Sequence, residues 1–258
     1  MSLRLRPVAR GASQHVFTRE DVHEHEWVYK TPAIVESLFL HPITWRSIQP
    51  TVRWKRILFA HFLEGLAPHG PRLDRFAVTR ERRRRMLQFQ EMCRLLSALD
   101  GAGVEVYLLP CEVIQATCTL RDEQGGEHEY SGMLLRQRRA DHFFEDFTGV
   151  DRFDWEQLVL AQQGLWRCGV GFADADEVLG PRNWALLDGQ VRLADTGSLT
   201  RDFRRVCHTV SDSVLDACQQ RIPLWWPDRT DPRLAEYLAF VRHEINLERL
   251  RQLWRADC

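Results

Sequence analysis

Two short runs suited to β-structure, Trp184-Ala-Leu-Leu187 and Gln190-Val-Arg-Leu-Ala194, flank Asp188-Gly189. An Asp-Gly pair in that setting fits a two-residue type I′ turn, whose central residues both take positive φ. So tight a hairpin leaves little freedom of register, and it brings Pro181-Arg182-Asn183 beside Asp195-Thr196-Gly197 at its open end. Strict pairing carried through to Asp195 would set that carboxylate opposite Arg182 and on the other face from Asn183. The regular ladder is therefore expected to stop at about Ala194, a break that the following Thr-Gly allows. A surface hairpin with two polar end residues is the plain alternative. Oxygen donors from two strand ends otherwise suit Mg²⁺, which keeps waters and phosphates among its ligands and rarely takes a full protein cage.

Length and charge bound the rest. With 258 residues, 44% hydrophobic, and a net charge of −1, the chain reads as soluble, globular and large enough for two lobes around a cleft. Neither a basic nor an acidic excess points to nucleic acid. No apolar run reaches the roughly 18 residues of a membrane span. The seven cysteines (93, 111, 118, 168, 207, 218 and 258) show no Cys-x-x-Cys spacing. With no secretory leader read at the N-terminus, they fit reduced thiols in the cytoplasm. His23 and His25, with no cysteine pair nearby, read as surface residues rather than zinc ligands, and Arg82–Arg85 as a solvated helix face.

Along the chain, Trp27–Lys30 reads as a strand ending in a cation, preceded by a loop over Arg10–Phe17 that contains Gly11 and Ser13. Arg80–Leu99 reads as a helix, with Phe89, Met92, Leu96 and Leu99 at helical spacing. Leu87 and Leu95 stand four residues either side of Glu91, which puts that acid on a partly apolar flank. Strands are expected at Val104–Leu109, Val113–Leu120 and Tyr130–Leu135. Helices are expected at Asp154–Trp166, Ser211–Gln220, Pro232–His243 and Ile245–Trp254, with Trp225-Trp226-Pro227 forming a corner.

Gly-Phe-Ala-Asp at 171–174, Pro181-Arg182-Asn183 and Asp195-Thr196-Gly197 occur in an order that resembles the protein-kinase-like superfamily, whose catalytic segment runs Asp, Pro-x-Asn, hairpin, Asp-Phe-Gly. The resemblance implies an α+β, bilobal protein-kinase-like fold, with an antiparallel N-terminal sheet plus helix and a short, mainly helical C-terminal lobe. Residues 1–139 would form the nucleotide-covering lobe, with an inserted helical segment at about 31–79, and residues 140–258 the catalytic lobe.

By the same resemblance Asp174 engages an acceptor hydroxyl, and Asn183 and Asp195 hold Mg²⁺. Lys30 binds phosphates under the guidance of Glu91, Gly11 and Ser13 approach the phosphate chain, and Gln137–Ala140 form a hinge that holds adenine through backbone groups. Asp174 stands nine residues before Asn183 where the family has five, so a four-residue insertion within Ala175–Gly180 has to be assumed. Asp176, seven before the Asn, competes as the base. Phe172 and Ala173 replace the usual His-Arg, Thr196 replaces Phe, and no Ala-Pro-Glu follows.

The implied activity is ATP- and Mg²⁺-dependent transfer of a γ-phosphoryl group to a hydroxyl of a small-molecule, carbohydrate or lipid-linked acceptor. In this the chain is similar to small bacterial lipopolysaccharide-core and small-molecule kinase-like proteins. The alternative is a catalytically inactive pseudokinase that binds nucleotide or acts as a scaffold. Thr51–Leu66 interleaves Arg53, Lys55 and Arg56 with Trp54, Phe59 and Phe62. Such a segment packs its apolar face on its own protein or lies on an anionic membrane surface. A cytoplasmic protein, with peripheral inner-membrane contact through 51–66 as a second option, follows.

Overall fold

The computed structural model describes residues 3–10, 14–20, 26–32, 86–121, 126–144, 147, 149–222 and 231–254. Gly11, Ser13, the 33–79 insertion with its 51–66 segment, His23 and His25, Arg82–Arg85 and Trp225–Pro227 lie outside them. The chain divides into two compact units. One takes in residues 1–24, 28–91 and 114–135; the other takes in 25–27, 92–113 and 136–258.

The N-terminal unit corrects the expected bilobal kinase-like architecture, because its sheet is neither open nor wholly antiparallel. Strands β1 (Leu3–Arg10), β2 (Gln14–Arg19), β3 (Trp27–Pro32), β4 (Cys111–Arg121) and β5 (Glu127–Arg138) form a closed barrel in the order β1-β2-β3-β5-β4. β2 pairs antiparallel with β1 and with β3, where Val16 faces Lys30 and Phe17 faces Tyr29. The closing contact is parallel: Leu3, Arg4 and Leu5 of β1 match Cys118, Thr119 and Leu120 of β4. Closure removes the two edges that an open sheet would leave with unpaired backbone groups. The register of β1 shifts between Pro7 and Ala9, a place where a proline without N–H costs no ladder bond.

Alternate side chains fill the barrel. Leu5, Phe17, Tyr29, Cys118, Leu120, Tyr130 and Leu134 form one buried cluster, as the interior of a five-stranded barrel is too narrow for anything but side chains. The Tyr130 hydroxyl keeps a partner by donating to the Met133 carbonyl at 2.8 Å. Burial in this interior raises the Cys118 thiol to about 11, so it stays protonated and apolar in character.

Helix α1 (86–98) buries Phe89, Met92, Cys93, Leu96 and Leu99, the stripe expected from their spacing. Residues 104–109, expected as a strand, instead make a 3-10 turn at Glu105–Tyr107 followed by a single parallel bridge from Leu108 to Leu193. Arg192 holds this turn by donating to the carbonyls of Glu105 and Val106, a tie that local pattern does not encode.

The C-terminal unit is organised on α2 (Arg152–Arg167), which starts at a capping box between Asp151 and Asp154. Around it lie α3 (Ala175–Leu179), α4 (Phe203–Thr209), α5 (Asp212–Arg221), α6 (Pro232–Glu244) and α7 (Leu247–Leu253). α3 and α4 have no counterpart in the sequence reading; the other boundaries fall within a few residues of it. Two small sheets complete the unit: β6 (His142–Phe143), β8 (Trp184–Leu187) and β9 (Gln190–Leu193) in one, β7 (Gly171–Phe172) and β10 (Leu199–Thr200) in the other.

Leu134 is fully buried in the barrel cluster. Leu134→Ala should therefore destabilise the protein by about 2–5 kcal/mol in urea unfolding. A loss below about 1 kcal/mol would contradict a packed barrel interior.

Candidate functional site

The β8–β9 hairpin forms in the expected register, from Trp184 opposite Leu193 to Leu187 opposite Gln190. Asp188 (φ 52°) and Gly189 (φ 69°) both take the left-handed conformation that a type I′ turn requires. β9 ends at Leu193, and the next two N–H groups, of Ala194 and Asp195, both donate to the Asn183 carbonyl at 2.8 and 3.3 Å. That convergence ends the strand alternation and sets Asp195 beside Asn183. Buried Gln137 secures the same peptide from its other side, its Nε2 donating to the Ala194 carbonyl at 3.0 Å.

Asp174 reaches this place on a different element. β7 pairs antiparallel with β10, Phe172 opposite Leu199, and the Ala173 N–H donates to the Ser198 carbonyl at 2.8 Å. Beneath them Phe172 and Trp184, both buried, meet edge to face with ring centroids 6.2 Å apart. β7 approaches α4 so closely that a Cβ at Gly171 would lie 2.6 Å from Val206 Cγ1, which accounts for glycine there.

Asp174 is exposed and is the N-cap of α3, its Oδ1 accepting from the Asp176 N–H at 3.0 Å. The long spacing from Asp174 to Asn183 is taken up by α3 and by a 3-10 turn at Pro181–Asn183. The two acids differ in their partners. Asp176 Oδ1 accepts from Arg221 Nη2 and from Cys218 Sγ, each at 2.9 Å, whereas among the described residues Asp174 accepts only from its own turn and feels Arg221 through charge alone. Asp195 likewise uses Oδ1 on its own turn, accepting from the Gly197 N–H at 2.9 Å. Among the described residues no donor reaches the second oxygen of Asp174 or of Asp195.

A third acid completes the group, and the sequence reading did not single it out. Half-buried Glu177 accepts a 2.5 Å hydrogen bond from Ser198 Oγ. Burial, then the charge of Asp195 and more weakly that of Asp174, push its carboxyl up to about 8, against the opposing Ser198 hydrogen bond and Arg182 charge. The available signal was the Asp174-x-x-Glu177 spacing, a helix-start pattern. Nothing in the sequence indicated Ser198 as its partner.

Asp174, Asn183 and Asp195 are thus gathered in the C-terminal unit. Lys30 and Glu91 belong to the N-terminal unit: Lys30 is half-buried on β3, and Glu91 is exposed on α1. In the Gln137–Ala140 segment, the N–H groups of Arg138 and Arg139 donate to the carbonyls of Pro110 and Glu26 at 2.8 and 2.6 Å. Two hollows, of about 400 Å³ at Thr117–Thr119 and about 260 Å³ between Leu96 and Val113, contain none of these acids. Chemistry, rather than cavity size, therefore marks the candidate.

Among the described residues, no group of three or more His, Cys, Asp or Glu is arranged to hold a metal ion, and no helix is long and apolar enough to cross a membrane. The chain matches no family model and no curated protein.

In metal-free protein the raised Glu177 carboxyl gives a signed pH effect. The folded chain keeps its proton up to about 8, while the unfolded chain releases it in the ordinary carboxylate range. The associated stability is present at acid pH and is lost as pH rises through that upper value. Glu177→Gln, measured in EDTA, should match wild-type thermal stability near about pH 5 and exceed it by roughly a few degrees near about pH 8.5. A gap that does not grow with pH would contradict the raised carboxyl.

Proposed function

We propose that the chain is an ATP- and Mg²⁺-dependent phosphotransferase acting on a hydroxyl of a small-molecule, carbohydrate or lipid-linked acceptor. The observation that carries this reading is the gathering of Asp174, Asn183 and Asp195 in one unit, with one oxygen of each carboxylate reached by no donor among the described residues. The donor set fits the cation, because Mg²⁺ is commonly held by one or two carboxylate or amide oxygens with substrate phosphates and water. Asn183 and Asp195 would hold it. Once bound, the ion supplies neutralisation of phosphate charge.

The residues do the positioning. Asp174, exposed at the start of α3, accepts a hydrogen bond from the acceptor hydroxyl and orients it for attack. Asp176 suits that role less well, because its Oδ1 already accepts from Arg221 and Cys218. The Phe172–Trp184 contact and the Asn183 carbonyl fix the supporting backbone, so little reorganisation is needed when substrate arrives. Phosphate binding by Lys30, guided by Glu91, rests on resemblance alone. We place the reaction in the cytoplasm, where ATP is supplied and where the thiols Cys93, Cys118 and Cys218 would stay reduced.

Asp195→Ala should remove the Mg²⁺-dependent part of ATP-analogue binding, by about tenfold or more, while leaving the thermal midpoint within roughly 2 °C. Asp174→Asn should lower ADP release in the presence of acceptor about 10²- to 10⁴-fold. Mg²⁺-dependent affinity that is equal in wild type and Asp195→Ala would overturn the metal assignment. Tight Mg-nucleotide binding with no turnover, across hydroxyl acceptors of all three classes, would instead favour a nucleotide-binding scaffold.

A further inference from the structure

Ser198 touches the turn that carries Asp174 at two points. Its backbone carbonyl accepts from the Ala173 N–H at 2.8 Å, immediately before Asp174, and its hydroxyl donates to Glu177 at 2.5 Å, three residues after. The turn itself is weak. α3 has five residues, too few to be stable alone, and its start depends on the Asp174 cap. On the other side, Ser198 follows directly on the turn closed by Asp195 Oδ1 and the Gly197 N–H. One residue therefore ties the segment bearing Asp174 to the segment bearing Asp195, across 21 positions of sequence.

We propose that Ser198 and Glu177 are positioning residues: their hydrogen bond clamps the Asp174 turn to the Asp195 turn and fixes the separation of those two carboxylates. Neither needs to touch substrate. The geometry stands apart from the phosphotransfer reading, and only the effect on turnover rests on it. Repulsion explains why a clamp is required. Asp174 and Asp195 put like charges on the two turns, and without the Ser198 donor the α3 turn would relax away from Asp195.

The variant Ser198→Ala removes the hydroxyl and keeps the backbone bond, while Ser198→Thr keeps both. Hydrogen exchange on the full chain should show faster exchange in Ser198→Ala at residues 173–180 and 195–199 together. The β8–β9 hairpin should be unchanged, and Ser198→Thr should restore protection. Should Ser198→Ala fail to fold, Glu177→Ala reads the same contact from its other end. Unchanged exchange at 173–180 overturns the clamp whatever the activity.

With acceptor and Mg-ATP, Ser198→Ala should lower kcat about 10- to 100-fold, with KM for ATP changed less than about threefold and kcat recovered in Ser198→Thr. A wild-type kcat in Ser198→Ala overturns the positioning role. If the wild type itself turns over no ATP, the phosphotransfer reading fails and the exchange result still decides the clamp.

Discussion

Two N–H groups converging on the Asn183 carbonyl set the geometry on which the rest of the candidate site depends. A hairpin left to run would place Asn183 and Asp195 on opposite faces, because side chains alternate along a strand. Receiving both Ala194 and Asp195, the carbonyl ends the ladder one residue past β9 and holds the Asp195 backbone beside Asn183. The bend is held from three directions: by Gln137 on the Ala194 carbonyl, by the Gly197 N–H on Asp195, and by Trp184 packed against Phe172 below. Each holding group is buried or belongs to the backbone.

What could be read from the sequence was what short-range chemistry determines. Asp188-Gly189 dictated a turn, the turn dictated a register, and the register demanded a break near Ala194, which is where the strand stops. The α1 stripe and the four helices at 152–167, 212–221, 232–244 and 247–253 follow from periodicity in the same way. Barrel closure was not accessible to such reasoning. It depends on β1 meeting β4 in parallel, and Leu3-Arg4-Leu5 carries no local mark of a partner more than a hundred positions away. An alternating pattern suits an open and a closed sheet equally, so a resemblance centred on 171–197 could not predict the form of the sheet.

The site shows the same division. Asp174, Asn183 and Asp195 could be picked out by type and order, as could the long stretch between the first two. The structure adds what those residues do. They form a one-turn helix whose cap is Asp174, whose second residue is spent on Arg221 and Cys218, and whose third is Glu177. Two acids two positions apart cannot be ranked by spacing alone. They are separated by the neighbours supplied from α5, a contact that only the fold creates.

Charge crowding shapes this arrangement. Like charges in a partly buried place raise one another's cost. Arg221 pairs with Asp176 and acts on Asp174 through charge, and Arg182 favours the ionised form of Glu177. The strain falls on Glu177, which holds a proton through neutral pH, up to about 8, rather than add a charge beside Asp195. A divalent cation at Asn183 and Asp195 would reverse that balance, replacing repulsion with attraction and favouring the ionised form. The Ser198 hydroxyl suits either state, because it donates to a carboxylate and can rotate to accept from a carboxylic acid. A contact tolerant of both charge states can hold the two turns together whether Glu177 is protonated or ionised, and an alkyl side chain at 198 could not.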